Sequence, residues 1–89
     1  MTEPGRTELI RRVPGALWRG RPGAVLVLRP DDSVIRLTGP GSVLWLMLEE
    51  PATVAELADA FVAADDPGLL DGLGGYLVEL RDLGLVEIS

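Results

Sequence analysis

The stretch Ser33–Glu56, SVIRLTGPGSVLWLMLEEPATVAE, decides the fold. Its opening alternates, and period 2 puts Ile35 and Leu37 on one face of an extended strand with Val34 and Arg36 on the other. Thr38 then stands where it can cap a helix. Pro40 is acceptable in the first turn because its missing N–H has no intrahelical partner there. Every residue from Val43 to Leu48 is apolar. With Leu44, Trp45, Met47 and Leu48 facing inward, Val43 and Leu46 lie three apart on the outer side. Pro51 ends this helix, and Thr53-Val54-Ala55-Glu56 is a capping box that opens a second. So apolar a run needs cover from the residues on both sides.

Upstream, Ala24–Arg29 is rich in β-branched residues and bounded by turn residues, which reads as a strand. Pro30-Asp31-Asp32-Ser33 is turn chemistry, and Ala16–Arg19 is a candidate first strand closed by Gly20-Arg21-Pro22-Gly23. Residues 1–12 are polar and without a sustained period, so they read as a flexible N-terminal tail beside one domain over 13–89. Downstream, Val54, Leu57, Ala58, Phe61 and Val62 recur at helical spacing until Asp65-Asp66-Pro67-Gly68. Leu73, Tyr76, Leu77 and Leu80 carry a third helix, despite Gly72, Gly74 and Gly75, to a stop at Gly84. Leu85–Ile88 is a last extended piece. The expected fold class is α+β, like a winged helix-turn-helix, with an N-terminal three-stranded antiparallel sheet followed by three helices.

Composition bounds the chemistry. The chain of 89 residues has no His and no Cys, which removes thiol nucleophiles, disulfides, the usual zinc ligands and the commonest general base near neutral pH. The net charge of −6 is unevenly spread. Seven Arg face four acids in residues 1–36, whereas eight acids face Arg81 alone in 53–89. No apolar run reaches the roughly 18 residues of a membrane span, and the N-terminus lacks the pattern of a signal peptide. A soluble, cytoplasmic chain is expected. The acidic pairs Asp31-Asp32, Glu49-Glu50 and Asp65-Asp66 sit at turns and helix ends, where carboxylates cap and solvate. With no His, Cys or loop motif beside them, they imply neither a metal, a cofactor nor a catalytic dyad.

Several motifs in uninterrupted order now carry a resemblance. Ile35-Arg36-Leu37-Thr38 leads through Pro40-Gly41 to Leu44–Leu48, then to Thr53–Leu57, Tyr76–Leu80 and Gly84–Glu87. From Val25 to Glu87 the chain resembles the PqqD-like recognition proteins of pathways that modify ribosomally made peptides. It is most similar to the stand-alone recognition elements of lasso peptide clusters. The resemblance implies a non-catalytic adapter without cofactors. It would bind the leader region of a precursor peptide as a strand added to the edge of the third β-strand, beside the third helix. It would then present that peptide to a separate leader peptidase and a lasso cyclase. Thr38 stands where Asn is common in such proteins, and the glycines of the third helix are a larger departure.

On this reading Val34, Ile35, Arg36 and Leu37 supply the edge, and Leu73, Tyr76, Leu77 and Leu80 form the helical wall. An open edge offers unpaired N–H and C=O groups to any extended peptide, so side-chain pockets must give the specificity. Tyr76 fits a core aromatic as well as a groove wall, and Arg36 fits a solvated charge as well as a contact to an acidic guest side chain. Gly74 and Gly75 fit either helix defects or sites of close peptide approach. Val43 and Leu46 form a small apolar patch, to be covered by residues 1–12, by dimerisation, or by a partner enzyme such as the peptidase or cyclase. Monomer and strand-exchanged dimer are both open. The competing function is a winged-helix DNA-binding regulator. It is disfavoured because Asp71, Glu79 and Asp82 outnumber Arg81 on the helix that would enter the groove. Neither nucleic acid nor membrane is expected as a partner.

Overall fold

The computed structural model describes residues 4–63 and 67–89. The strands are β1 (Leu9–Arg12), β2 (Leu17–Arg21), β3 (Ala24–Leu28), β4 (Val34–Thr38), β5 (Ala52–Thr53) and β6 (Val86–Ile88). The helices are α1 (Pro40–Met47), α2 (Val54–Ala63) and α3 (Pro67–Asp82). The fold is a small α+β arrangement with two three-stranded antiparallel sheets, in the orders β2-β3-β4 and β5-β1-β6.

The first sheet is a meander whose turns follow from its sequence. Pro22-Gly23 joins β2 to β3 with Gly23 at φ 73, the combination a type II turn requires. Between β3 and β4 the Arg29 N–H donates to the Ser33 carbonyl (2.9 Å), and Asp31 Oδ1 accepts from the Ser33 N–H (3.0 Å). Arg29 Nη1 also donates to the Leu83 carbonyl (2.6 Å), which ties this hairpin to the end of α3.

The second sheet corrects the expected order of a single sheet followed by helices. Part of the expected tail is a central strand, because β1 pairs with β5 on one side and β6 on the other. Ile10 is fully buried in the core. Further upstream, the Glu8 and Arg6 carbonyls accept from the Val54 and Ala55 N–H groups (3.2 and 3.0 Å), two donors that α2 itself cannot satisfy. Arg12 lies between two indoles, its guanidinium carbon 4.9 Å from the Trp18 ring centre and 4.6 Å from that of Trp45. Its Nε (3.0 Å) and Nη2 both donate to the Trp45 carbonyl in the last turn of α1. Burial lowers the Arg12 pKa from its ordinary value, and the charge of Glu49 opposes that shift.

The helix starts differ in kind. The strand reverses into α1 at Gly39, which takes φ 55, a conformation that Thr38 would adopt only with strain. Thr38 therefore ends β4, α1 has no side-chain N-cap, and Pro40 holds the first turn. For α2, Glu56 Oε1 accepts from the Thr53 N–H (3.0 Å) while Thr53 Oγ1 accepts from the Glu56 N–H (3.2 Å), a reciprocal capping box. These bonds favour the carboxylate, so the Glu56 pKa is lowered. Helix α3 ends in a Schellman motif around Gly84 (φ 76), with Gly84 N–H to the Arg81 carbonyl and Leu85 N–H to the Leu80 carbonyl.

The core lies between the inner face of β2-β3-β4 and the three helices. Val25, Val27, Leu37, Leu44, Trp45, Leu57, Phe61 and Leu77 fill it. Val43 and Leu46 stay outside, 38% and 50% exposed. Among the described residues no helix is long and apolar enough to cross a membrane.

Candidate functional site

Among the described residues β4 is hydrogen-bonded to β3 alone, which leaves its other side an open edge. The phase of the ladder fixes which groups face outward. The Arg29 N–H donates to the Ser33 carbonyl directly opposite it, which sets the phase, so Val27↔Ile35 and Val25↔Leu37 are the hydrogen-bonded pairs toward α1. Val34, Arg36 and Thr38 occupy the alternate positions, and their N–H and C=O groups point away from β3 toward the open edge.

Beside that edge runs a groove of about 270 Å³. Arg36, Leu37 and Thr38 of β4 form one side, Pro40 and Gly41 of α1 close one end, and Tyr76, Glu79 and Leu80 of α3, with Leu83, form the other side. Leu37 and Leu80 are buried and make an apolar floor, while Arg36 and Glu79 are exposed and place opposite charges on the rim. A Cβ built on Gly41 would meet Leu37 and Leu80 at ordinary contact distances of 3.6 and 4.0 Å, so glycine is not required there by crowding. Gly72 differs. A Cβ there would lie 2.6 Å from Tyr76 Cε2 and 2.8 Å from its Cζ, so the phenol ring lies directly across the Gly72 backbone.

The residues singled out in the sequence separate into four groups. Arg36, Leu37, Tyr76 and Leu80 meet in the groove. Leu73 and Leu77 do not line it, because they are buried at the centre of the core, and Ile35 packs against that core from the inner face of the sheet. Val34 lies on the outer face of the sheet, 62% exposed, although its backbone still belongs to the open edge. Val43 and Leu46 are on the exposed side of α1 and outside the groove lining.

Gly75 is exposed, with no atom within 4 Å of a built Cβ, and Gly74 sits about 160° around the helix from Tyr76 at 100° per residue. The glycine that shapes the groove is Gly72. Sequence reasoning missed Thr38, Pro40, Gly41, Glu79 and Leu83. Pro40-Gly41 read only as a helix start, while Glu79 and Leu83 follow Tyr76 at three and seven residues, a spacing that places all three on one helix face.

Among the described residues no group of three or more carboxylates is placed to hold a metal ion. Asp31 spends its carboxylate on the Ser33 hydroxyl and N–H, which lowers its pKa, and Glu49 and Glu50 are exposed after α1. Asp65-Asp66 lies outside the described residues. No protein-family model, no curated protein and no solved structure matches the chain.

Proposed function

We propose that this chain is a non-catalytic, cytoplasmic adapter of the winged helix-turn-helix type. It binds the leader region of a ribosomally synthesised precursor peptide as a strand added to β4. The observation that carries the proposal is the coincidence of two features on one side of the molecule: an unpaired strand edge and an apolar-floored groove against α3. The outward amides and carbonyls of Val34, Arg36 and Thr38 bind the guest backbone whatever its sequence. Alternate guest side chains then descend toward Leu37, Tyr76 and Leu80, while Arg36 and Glu79 select polar neighbours. The order of motifs shared with PqqD-like recognition elements supports the same reading.

On this reading the exposed pair Val43 and Leu46 is where a modifying enzyme, such as a leader peptidase or a lasso cyclase, meets the loaded adapter. The acid-rich outer surface of α3, with Asp71 and Glu79, favours a peptide over a nucleic-acid backbone as the occupant of the adjoining groove.

The test is a titration of isotope-labelled protein with the leader segment of a precursor peptide encoded beside it. Saturable amide shifts are expected over residues 34–38 and 76–83. Hydrogen exchange supplies a sharper readout. Amides of Val34, Arg36 and Thr38 should gain protection on binding, whereas Ile35 and Leu37 are already bonded to β3. Protection gained instead by Ile35 and Leu37, or binding centred away from β4, overturns the proposal.

A further inference from the structure

The outer face of the β2-β3-β4 sheet carries a second organised surface, which meets the groove only along β4 at Arg36 and Thr38. The register assembles it in rungs across three strands. Leu17, Leu28 and Val34 are directly opposite one another in the first rung. Arg19, Leu26 and Arg36 form the second, and Arg21, Ala24 and Thr38 the third. The apolar rung is open, with Leu17 67% and Val34 62% exposed, and it borders a hollow of about 350 Å³. Single exposed apolar residues are ordinary, but a contiguous rung with a cationic margin is a contact surface.

Charge identifies the kind of occupant. In a chain of net charge −6 this face gathers Arg19, Arg21 and Arg36, and none of the three forms an ion pair among the described residues. A second copy meeting the face symmetrically would set guanidinium against guanidinium. A nucleic acid would satisfy the Arg rungs but leave the apolar rung against phosphate and sugar. An amphipathic helix with an apolar stripe and an acidic flank satisfies both.

The dimensions agree with such a helix. Three strands spaced by about 4.8 Å make a rung about 10 Å long, close to two helical turns of about 5.4 Å. The next rung lies about 7 Å away, just outside the roughly 5–6 Å radius of such a helix, a gap that long Arg side chains bridge to carboxylates on its flank.

We infer that the outer face of β2-β3-β4 is a docking surface for an acidic amphipathic helix of a partner protein. That helix lies along the rungs, with its apolar stripe on Leu17, Leu28 and Val34 and its carboxylates on Arg19, Arg21 and Arg36.

The probe is a synthetic 15-residue helical peptide with Leu at heptad spacing and Glu on both flanks, titrated into the full isotope-labelled chain. Its counterpart with Lys flanks and a 15-nucleotide single-stranded DNA run in parallel. The Glu peptide should saturate with shifts centred on Leu17, Leu28 and Val34, and the Lys peptide should bind at least tenfold more weakly. The double variant Arg19→Glu/Arg21→Glu changes exposed residues outside the groove, so its fold and its β4 edge should be retained, and it should reverse the preference between the two peptides. Absence of saturable binding, equal binding of both peptides, shifts centred on the β4–α3 groove, or tighter binding of the DNA each overturns the inference. So does a dimer in sedimentation that Leu17→Asn abolishes, since it would assign the face to a second copy.

Discussion

Replacing Arg12 by Ala is expected to cost far more than replacing its neighbour Arg11, although both are arginines on β1. Arg12 donates twice to the Trp45 carbonyl and lies within 5 Å of two indole ring centres. A hydrogen bond from a charged group contributes about 1.5–3 kcal/mol, and a cation–π contact at a partly exposed site adds about 0.5–1 kcal/mol. These terms share one side chain and are not fully additive, so Arg12→Ala should destabilise by ~2–4 kcal/mol. Arg11 makes one ion pair with Glu87 (3.0 Å) between side chains that are about half exposed, a contact worth about 0–1 kcal/mol.

For 89 residues the total stability is about 4–13 kcal/mol at the usual share per residue, so the Arg12 loss is a large fraction of it. The midpoint of thermal unfolding should fall by roughly 10–25 °C. Arg12→Lys should recover only part of this, because an ammonium cannot fork onto the carbonyl while stacking between two rings. Urea unfolding followed by tryptophan fluorescence gives both free energies. If Arg12→Ala lies within about 0.5 kcal/mol of Arg11→Ala, the indole clamp does not hold β1 to α1 and the argument fails.

Three further outcomes follow from local geometry. Gly72→Ala should improve helix propensity by about 1 kcal/mol yet push the Tyr76 ring out of place, so thermal stability should change by less than about 1 kcal/mol while leader affinity falls at least threefold. A Tyr76→Phe control with unchanged affinity would assign the effect to the ring and not to its hydroxyl. Gly39→Ala should cost ~1–3 kcal/mol in urea unfolding, because the alanine must hold φ 55 with ψ −133 between β4 and α1. Glu56 and Asp31 have pKa values lowered by hydrogen bonds to Thr53 and Ser33. Their contribution to stability is therefore present above the ordinary values of 4.5 and 3.8 and is lost as pH falls through the lowered ones. Glu56→Gln should flatten that acid limb in pH-dependent thermal melts, and an unaltered limb would remove the capping box as its source.

The legible parts of the fold are those whose cause lies within a few residues. Pro22-Gly23, Thr53–Glu56 and Gly84 each announce their turn or cap through one backbone requirement, and the structure satisfies each locally. The second sheet had no such signal. Arg11 pairs with a residue 76 positions later, and β5 is only two residues long, so no window of sequence contains the pairing. The apolar stripe of α3 was legible, but its division was not. Leu73 and Leu77 face the core while Tyr76 and Leu80 border the groove, and a period of 3.6 cannot distinguish the centre of a buried face from its margin. The outer sheet face was invisible for a related reason, since Leu17, Leu28 and Val34 become one rung only when two turns set their register.

That register also links the two proposed surfaces. A strand added to β4 alternates its side chains as β4 does, so one set enters the groove and the other emerges beside Val34 and Arg36 on the outer face. The guest would thus lengthen each rung by one strand, about 4.8 Å. An acidic helix lying along the rungs would touch the guest as well as the adapter, and its affinity would depend on the groove being filled. Linkage makes the dependence mutual: a helix that binds the loaded adapter tenfold more tightly must tighten the guest tenfold in return. Arg36, whose side chain borders both surfaces, is the residue through which charge changes in the guest would reach the docked helix. An adapter built in this way would present a partner with the peptide and its holder as one continuous sheet.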